Sequence, residues 1–132
     1  MKRTTSDHFD FNELVKIVSE LRGEGGCPWD RVQTYDTIVK CLRDETDEVC
    51  EAVEKKDFPN LCEELGDVLL QIVFYASMAA EDGYFTMDDV INGICKKMVF
   101  RHPHVYGESK AESAEDALRL FKEAKSKEPG RE

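Results

Sequence analysis

A single break in an otherwise helical stretch constrains this chain more than any other feature. From Leu42 to Gln71 the sequence reads LRDETDEVCEAVEKKDFPNLCEELGDVLLQ. The segment Asp57-Phe58-Pro59-Asn60 interrupts the helical pattern, and proline is well tolerated in the first turn of a new helix. The spacing therefore predicts two helices folded back on each other as an antiparallel hairpin. Each carries two acids at i and i+3, Glu45 with Glu48 and Glu64 with Asp67, and such pairs project from one helix face. Glu48 lies about as far before the break as Asp67 lies after it. Those two are expected roughly opposite each other, with Glu45 and Glu64 about one turn away.

Carboxylates gathered across a helix–helix contact raise one another's pKa, and burying them costs more. Hard divalent cations such as magnesium or manganese take such oxygen ligands. The ordinary alternative is a set of solvated surface acids, and the helical ridges argue against it. On the first helix Leu42, Thr46, Val49 and Val53 form a mostly apolar ridge, with Cys41, Glu45, Glu48 and Ala52 in the ridge beside it. On the second, Leu61, Leu65, Val68 and Ile72 are apolar, and Asn60, Glu64, Asp67 and Gln71 lie alongside. Both acidic pairs border the expected core face, so a metal site is the favoured reading.

A chain of 132 residues supports one domain with a real core. The formal net charge is −10, and between Arg43 and Asp67 ten acids stand against three bases. That balance disfavours nonspecific nucleic-acid or anionic-membrane binding. It leaves room for a small phosphorylated substrate reached through metal ions. The five cysteines form no C-x-x-C pair. Cys41, Cys50, Cys62 and Cys95 fall inside helical patterns, where a free cysteine behaves as a small apolar residue. Met1–Asp10 shows no signal-peptide pattern, and no apolar run approaches the roughly 18 residues of a membrane span. A soluble cytoplasmic protein with reduced thiols is expected.

In chain order, Met1 to His8 reads as a loose segment. Asp10 and Glu13 resemble a capping box, and Phe11, Leu14, Val15, Val18 and Leu21 give one apolar stripe to about Arg22. Gly23, Gly25 and Gly26 end that helix. The loop Gly25–Asp30 carries the only tryptophan, Trp29. An indole there can stack on a nucleobase or pin the loop onto the core, and taken alone the anchor reading is favoured. The hairpin helices should run from about Thr34 to Lys56 and from Pro59 to about Asp82. The second is apolar over more than one narrow face, so part of it is expected to meet another subunit. Gly66 inside it costs about 1 kcal/mol relative to alanine and suggests close approach by a backbone or ligand. Thr86-Met87-Asp88-Asp89 starts a fourth helix, whose last turns carry Lys97 and Arg101 on one face before Pro103 stops it. Basic residues there offset the helix dipole or hold phosphate, arginine supplying a fork of donors. Arg101–Gly107 reads as an extended turn. Ser113 caps a short final helix with Ala117, Leu118, Phe121 and Ala124 inward, and 126–132 reads as a loose tail. The expected fold is all-α, about five helices, with residues 9–125 as the domain.

No P-loop, G-x-G-x-x-G or H-E-x-x-H motif is present. Di-iron helical bundles need Glu-x-x-His pairs, and Thr5, Val99 and Arg101 precede the three histidines at that spacing. His102 and His104 alone are a weak metal signal. Magnesium held by carboxylates and serving a phosphate ligand is expected: the ions neutralise a polyphosphate and activate water, while Lys97 or Arg101 steadies developing charge.

Four strings, Gly26-Cys27-Pro28-Trp29-Asp30, Asp44-Glu45-x-x-Glu48, Glu64-Leu65-Gly66-Asp67 and Lys97-x-x-x-Arg101-His102-Pro103-His104-Val105, together resemble the MazG nucleoside triphosphate pyrophosphohydrolases. The resemblance runs from Phe9 to Phe121. It implies an all-α fold that dimerises, or assembles further, into a helical bundle. It implies cleavage of a nucleoside triphosphate between the α and β phosphates, as nucleotide-pool housecleaning of standard or aberrant nucleotides. By family pattern Glu45, Glu48, Glu64 and Asp67 are the magnesium ligands and catalytic carboxylates, and Lys97 and Arg101 contact the phosphates. Trp29 and Asn60 are taken as further substrate contacts. The family usually has a glutamate doublet where this chain has Asp44-Glu45, so Asp44 is expected to support the ligands or do base work. Many relatives carry two such domains in tandem, and this chain resembles the first. The competing readings are a non-catalytic helical dimer that binds nucleotide or a protein partner, and a base-selective dUTP or dCTP hydrolase of related fold.

Overall fold

The computed structural model describes residues 8–128, and every regular element among them is a helix. They fall into two compact units, one running to Met87 and one from Asp88 onward.

The first unit is built from α1 (Phe11–Arg22), α2 (Pro28–Arg31), α3 (Tyr35–Glu54) and α4 (Phe58–Glu81). Asp10 caps α1 by accepting from the Glu13 amide at 2.9 Å. Thr34 and Thr37 cap α3 reciprocally, each side chain accepting from the other's amide at 3.3 and 2.8 Å. Asp57 caps α4, with Pro59 in its first turn. The break read from the sequence is thus a paired stop and start. At the stop, Lys56 adopts φ 55° while the Asp57 amide reaches back to the Ala52 carbonyl at 3.0 Å. This left-handed closure usually employs glycine. The far end of α4 does employ it: Gly83 has φ 77°, and the Tyr84 amide bonds the Ala79 carbonyl at 2.9 Å.

Val18, Ile38, Val73, Phe74 and Met78 form the core of this unit, flanked by Phe11, Leu14, Val15, Leu70, Tyr75 and Met87. Full burial of an aliphatic side chain such as Ile38 stabilises by about 1.5–3 kcal/mol. The loop after α1 is held tightly. Its Cys27 amide bonds the Leu21 carbonyl at 2.8 Å, and a Cβ at Gly26 would lie 2.3 Å from the Glu20 and Leu21 carbonyl oxygens. Only glycine fits there.

The second unit contains α5 (beginning at Met87 and ending at Arg101), α6 (Pro103–Tyr106) and α7 (Ala114–Lys127). Ser113 caps α7 by accepting from the Asp116 amide. His102 Nδ1 donates to the Met98 carbonyl at 2.6 Å, and its ring meets Phe121 edge-on.

Three expectations need correction. The Trp29 loop and the Arg101–Gly107 segment each contain a one-turn helix, giving seven helices among the described residues. A four-residue helix is too short to show periodicity. Helix α7 also continues through Ser126 to Lys127, two residues expected in the tail. The remaining termini, 1–7 and 129–132, lie outside the described residues. Cys50, Cys62 and Cys95 are exposed rather than packed as apolar residues, and all five cysteines are free thiols. No described helix is long and apolar enough to cross a membrane.

Candidate active site

Helices α3 and α4 bring Glu45, Glu48, Glu64 and Asp67 together, each placing one carboxylate oxygen within 4.8 Å of the others. The hairpin achieves this by turning the ridges opposite to the simple hydrophobic expectation. On α3 the fully buried residues are Ile38 and Ala52, in line with Glu45, while Thr46 and Val53 are exposed. On α4, Glu64 and Gln71 are buried, whereas Leu65 is 51 % and Ile72 39 % exposed. The acidic rows face inward and part of the apolar row faces outward.

The hydrogen-bond pattern also refines the expected pairing. Glu64, only 9 % exposed, shares hydrogen bonds with Glu48 and Glu45, and Asp67 acts through its charge. The Glu64 carboxyl is pushed up to about 8, first by the bond to Glu48, then by burial, by the bond to Glu45 and by the charges of Glu48 and Asp67. Glu45 is also raised, chiefly by burial and then by its bond to Glu48, while its bond to Glu64 works the other way. One oxygen of Glu45 and one of Glu64 are buried without a hydrogen-bond partner. Buried carboxylate oxygens are normally satisfied, so two orphans within a cluster of four carboxylates mark a place for a cation. The donor set is all oxygen, which suits a hard divalent ion and not a soft one.

The other expected site residues are distributed as follows. Asp44 turns away to Lys40, 2.7 Å from its Nζ. Asn60 stands half-buried in the first turn of α4, its amide donating to Asp57. Trp29 is 58 % exposed, which overturns its reading as an anchor on the core. The loop is instead anchored by Arg22. Its guanidinium donates to Glu81 at 2.7 and 3.1 Å and to the Asp30 and Gln33 carbonyls at 2.6 and 3.3 Å, and Gln33 donates to the Trp29 carbonyl at 2.8 Å. Reading the sequence missed Arg22, whose only signal is a basic residue in a last helical turn. In the second unit Lys97 is half-buried on α5. Arg101, 5 % exposed, donates to Glu128 at 2.9 Å and lies over the Phe121 ring.

Residues 33–106 match the family model described as the MazG nucleotide pyrophosphohydrolase domain. The chain is 43 % identical over 118 residues to the nucleoside triphosphate pyrophosphohydrolase of Escherichia coli K12, covering 89 % of this chain and 45 % of that protein. It is 43 % identical over 121 residues to the nucleoside triphosphate pyrophosphohydrolase/pyrophosphatase MazG of Thermotoga maritima, covering 92 % and 46 %. Similarity to the uncharacterized protein YabN of Bacillus subtilis is 42 % over 121 residues, 92 % of this chain and 25 % of that one. The chain thus spans less than half the length of these curated relatives. Among solved structures, a mazG-related protein from Thermotoga maritima superimposes with a TM-score of 0.72 at 33 % identity, covering 87 % of this chain and 98 % of that one. By sequence and by fold, this chain belongs to the MazG nucleotide pyrophosphohydrolase domain family.

Proposed function

We propose that this chain is a divalent-metal-dependent hydrolase that cleaves nucleoside triphosphates to nucleoside monophosphate and pyrophosphate. The observation that carries the reading is the inward-facing set of Glu45, Glu48, Glu64 and Asp67 with its two orphaned buried oxygens. The names of the relatives support the same reaction class. Magnesium fits the donor set best, with manganese as a substitute. Such an ion would neutralise phosphate charge and lower the pKa of a water molecule.

Glu45 and Glu64 act as the inner ligands, because their free oxygens are the ones removed from solvent. Glu48, the exposed member, and the half-buried Asp67 complete the set toward substrate. A carboxylate of this group that does not bind metal can accept a proton from the attacking water. Asn60 contacts the substrate from the first turn of α4, Trp29 supplies an aromatic wall for the base, and Lys97 and Arg101 contribute cationic charge to the phosphates. Asp44 has only an indirect part, since Lys40 already holds it. The protein works as a homodimer in the cytoplasm, clearing standard or aberrant nucleotides.

The test is pyrophosphate release from a panel of ribo- and deoxyribonucleoside triphosphates with magnesium, run beside Glu48→Gln. Release that disappears in the folded mutant supports the proposal, and full release in the mutant refutes it. A non-catalytic nucleotide-binding dimer is the competing reading, favoured by the engagement of Arg101 with Glu128 and of Asp44 with Lys40. Tight binding without turnover at any metal concentration selects it.

A further inference from the structure

The second unit has one fully buried residue among its described residues, and that residue is a cation. Arg101 is 5 % exposed, whereas α6 and α7 bury no side chain fully. A guanidinium taken out of water needs its donors answered, and Arg101 is answered poorly. Its Nη2 donates to Glu128 Oε2 at 2.9 Å, while its Nε is buried without a hydrogen-bond partner. The Phe121 ring, its centre 5.6 Å from the guanidinium carbon, covers one side. An arginine fork matches two oxygens of a carboxylate or phosphate at once. Glu128 engages one prong.

The group that supplies this carboxylate sits where the chain opens most easily. Glu128 ends α7 with extended backbone, φ −69° and ψ 127°, and its amide reaches the Lys125 carbonyl at 3.3 Å. Helix ends lack intrahelical partners and are the first turns to fray. None of the fourteen residues of α7 is fully buried, so little apolar packing holds that end down. The Glu128 side chain is 23 % exposed against 5 % for Arg101, which makes the carboxylate the accessible side of the pair. In this closed arrangement Arg101 meets no phosphate, because an anion of its own chain already occupies it.

We infer that Glu128 stands in for a substrate phosphate at Arg101, and that the carboxyl end of α7 is a latch which an incoming polyphosphate displaces. This rests on the hydrolase reading, with its assignment of Arg101 to the phosphates, and extends it: the chain competes with its own substrate for that residue. A terminal phosphate brings three acceptor oxygens, enough to answer Nε together with Nη2. The exchange replaces one charge-assisted bond by two. A latch that is mostly closed weakens apparent affinity in proportion to the open fraction.

Hydrogen exchange read by mass spectrometry tests this on the unaltered chain, with magnesium tripolyphosphate as the probe and calorimetry to establish saturation. Amides of residues 122–128 should exchange at least about threefold faster with the probe bound, where ordinary ligand binding slows exchange. Unchanged or slower exchange there overturns the inference, and so does a failure of the probe to bind. Kinetics give a second reading. Glu128→Gln keeps the shape and removes the competing charge, so KM for a nucleoside triphosphate should fall about three- to tenfold. In an Arg101→Ala background the same substitution should change KM no further. A merely structural pair predicts a lower urea midpoint for Glu128→Gln with KM unchanged, and that result also overturns the latch. Should Glu128→Gln not fold, the exchange measurement decides. Opening of α7 by the probe without hydrolysis of any nucleotide fails the hydrolase reading and keeps the latch. Turnover without opening fails the latch alone.

Discussion

The α3–α4 hairpin carries charged and polar groups in its acidic middle and at its far end, and the two regions treat them in opposite ways. At the far end every named group is answered. The Tyr35 hydroxyl donates to Asp82 at 2.6 Å, the Tyr75 hydroxyl to the Tyr35 carbonyl at 2.9 Å, and Arg22 forks onto Glu81. In the acidic middle four carboxylates crowd together, two oxygens are buried without partners, and Glu64 and Glu45 are held above the ordinary carboxylate range. The far end uses charge to hold the fold. The acidic middle keeps an electrostatic cost that a cation can relieve, and that contrast separates structural polar residues from functional ones more sharply than burial does.

Mutations can break this comparison from either side. The largest effect expected is on turnover: replacing Glu64 or Glu48 by glutamine should lower pyrophosphate release by at least about a hundredfold, with the helical circular dichroism unchanged. At the far end Arg22→Ala should leave the carboxylates intact and destabilise the fold by about 2–3 kcal/mol, read from urea unfolding. Arg22→Lys should rescue only part of that, since a lysine cannot fork.

A pH series sharpens the contrast. The folded pKa of Glu64, about 8, lies above the ordinary 4.5, so the folded metal-free protein holds this proton more tightly than the unfolded chain. Its contribution to stability is full below pH 4.5 and lost as the pH rises toward 8. Thermal unfolding of the metal-free protein should therefore shift downward across that window, and Glu64→Gln should flatten the dependence. Smaller changes are expected elsewhere. Tyr35→Phe should cost about 1 kcal/mol through the lost bond to Asp82. Lys56→Gly should gain about 0.5–1 kcal/mol by relieving the left-handed backbone that Gly83 already accommodates at the other end of α4.

Much of this was legible in the sequence because caps and breaks act locally. Asp10 and Ser113 cap their helices as read, the break at Asp57–Asn60 does separate α3 from α4, and the acid pairs read at i and i+3 do converge. The inward ridge was not legible. Leu65 and Ile72 lie next to Glu64 and Gln71 around the helix, so periodicity narrows the choice to neighbouring ridges and hydrophobicity selects the wrong one. Hydrophobicity fails there because the α3–α4 contact is built around carboxylates, leaving Leu65 and Ile72 outside. Trp29 misled for a related reason. An indole is a good core anchor, but Arg22 does the anchoring here and leaves the ring exposed. Arg22 itself acts through residues far along the chain, which no local pattern announces.

Calorimetric titration of magnesium into the metal-free protein tests the central claim most directly, with wild type set against Glu45→Gln/Glu64→Gln and against Asp47→Asn as a neighbouring acid outside the cluster. Saturable binding in the wild type and Asp47→Asn, abolished in the double variant together with turnover, is the predicted result. Equal magnesium affinity in all three proteins would contradict the assignment of these carboxylates as the metal site.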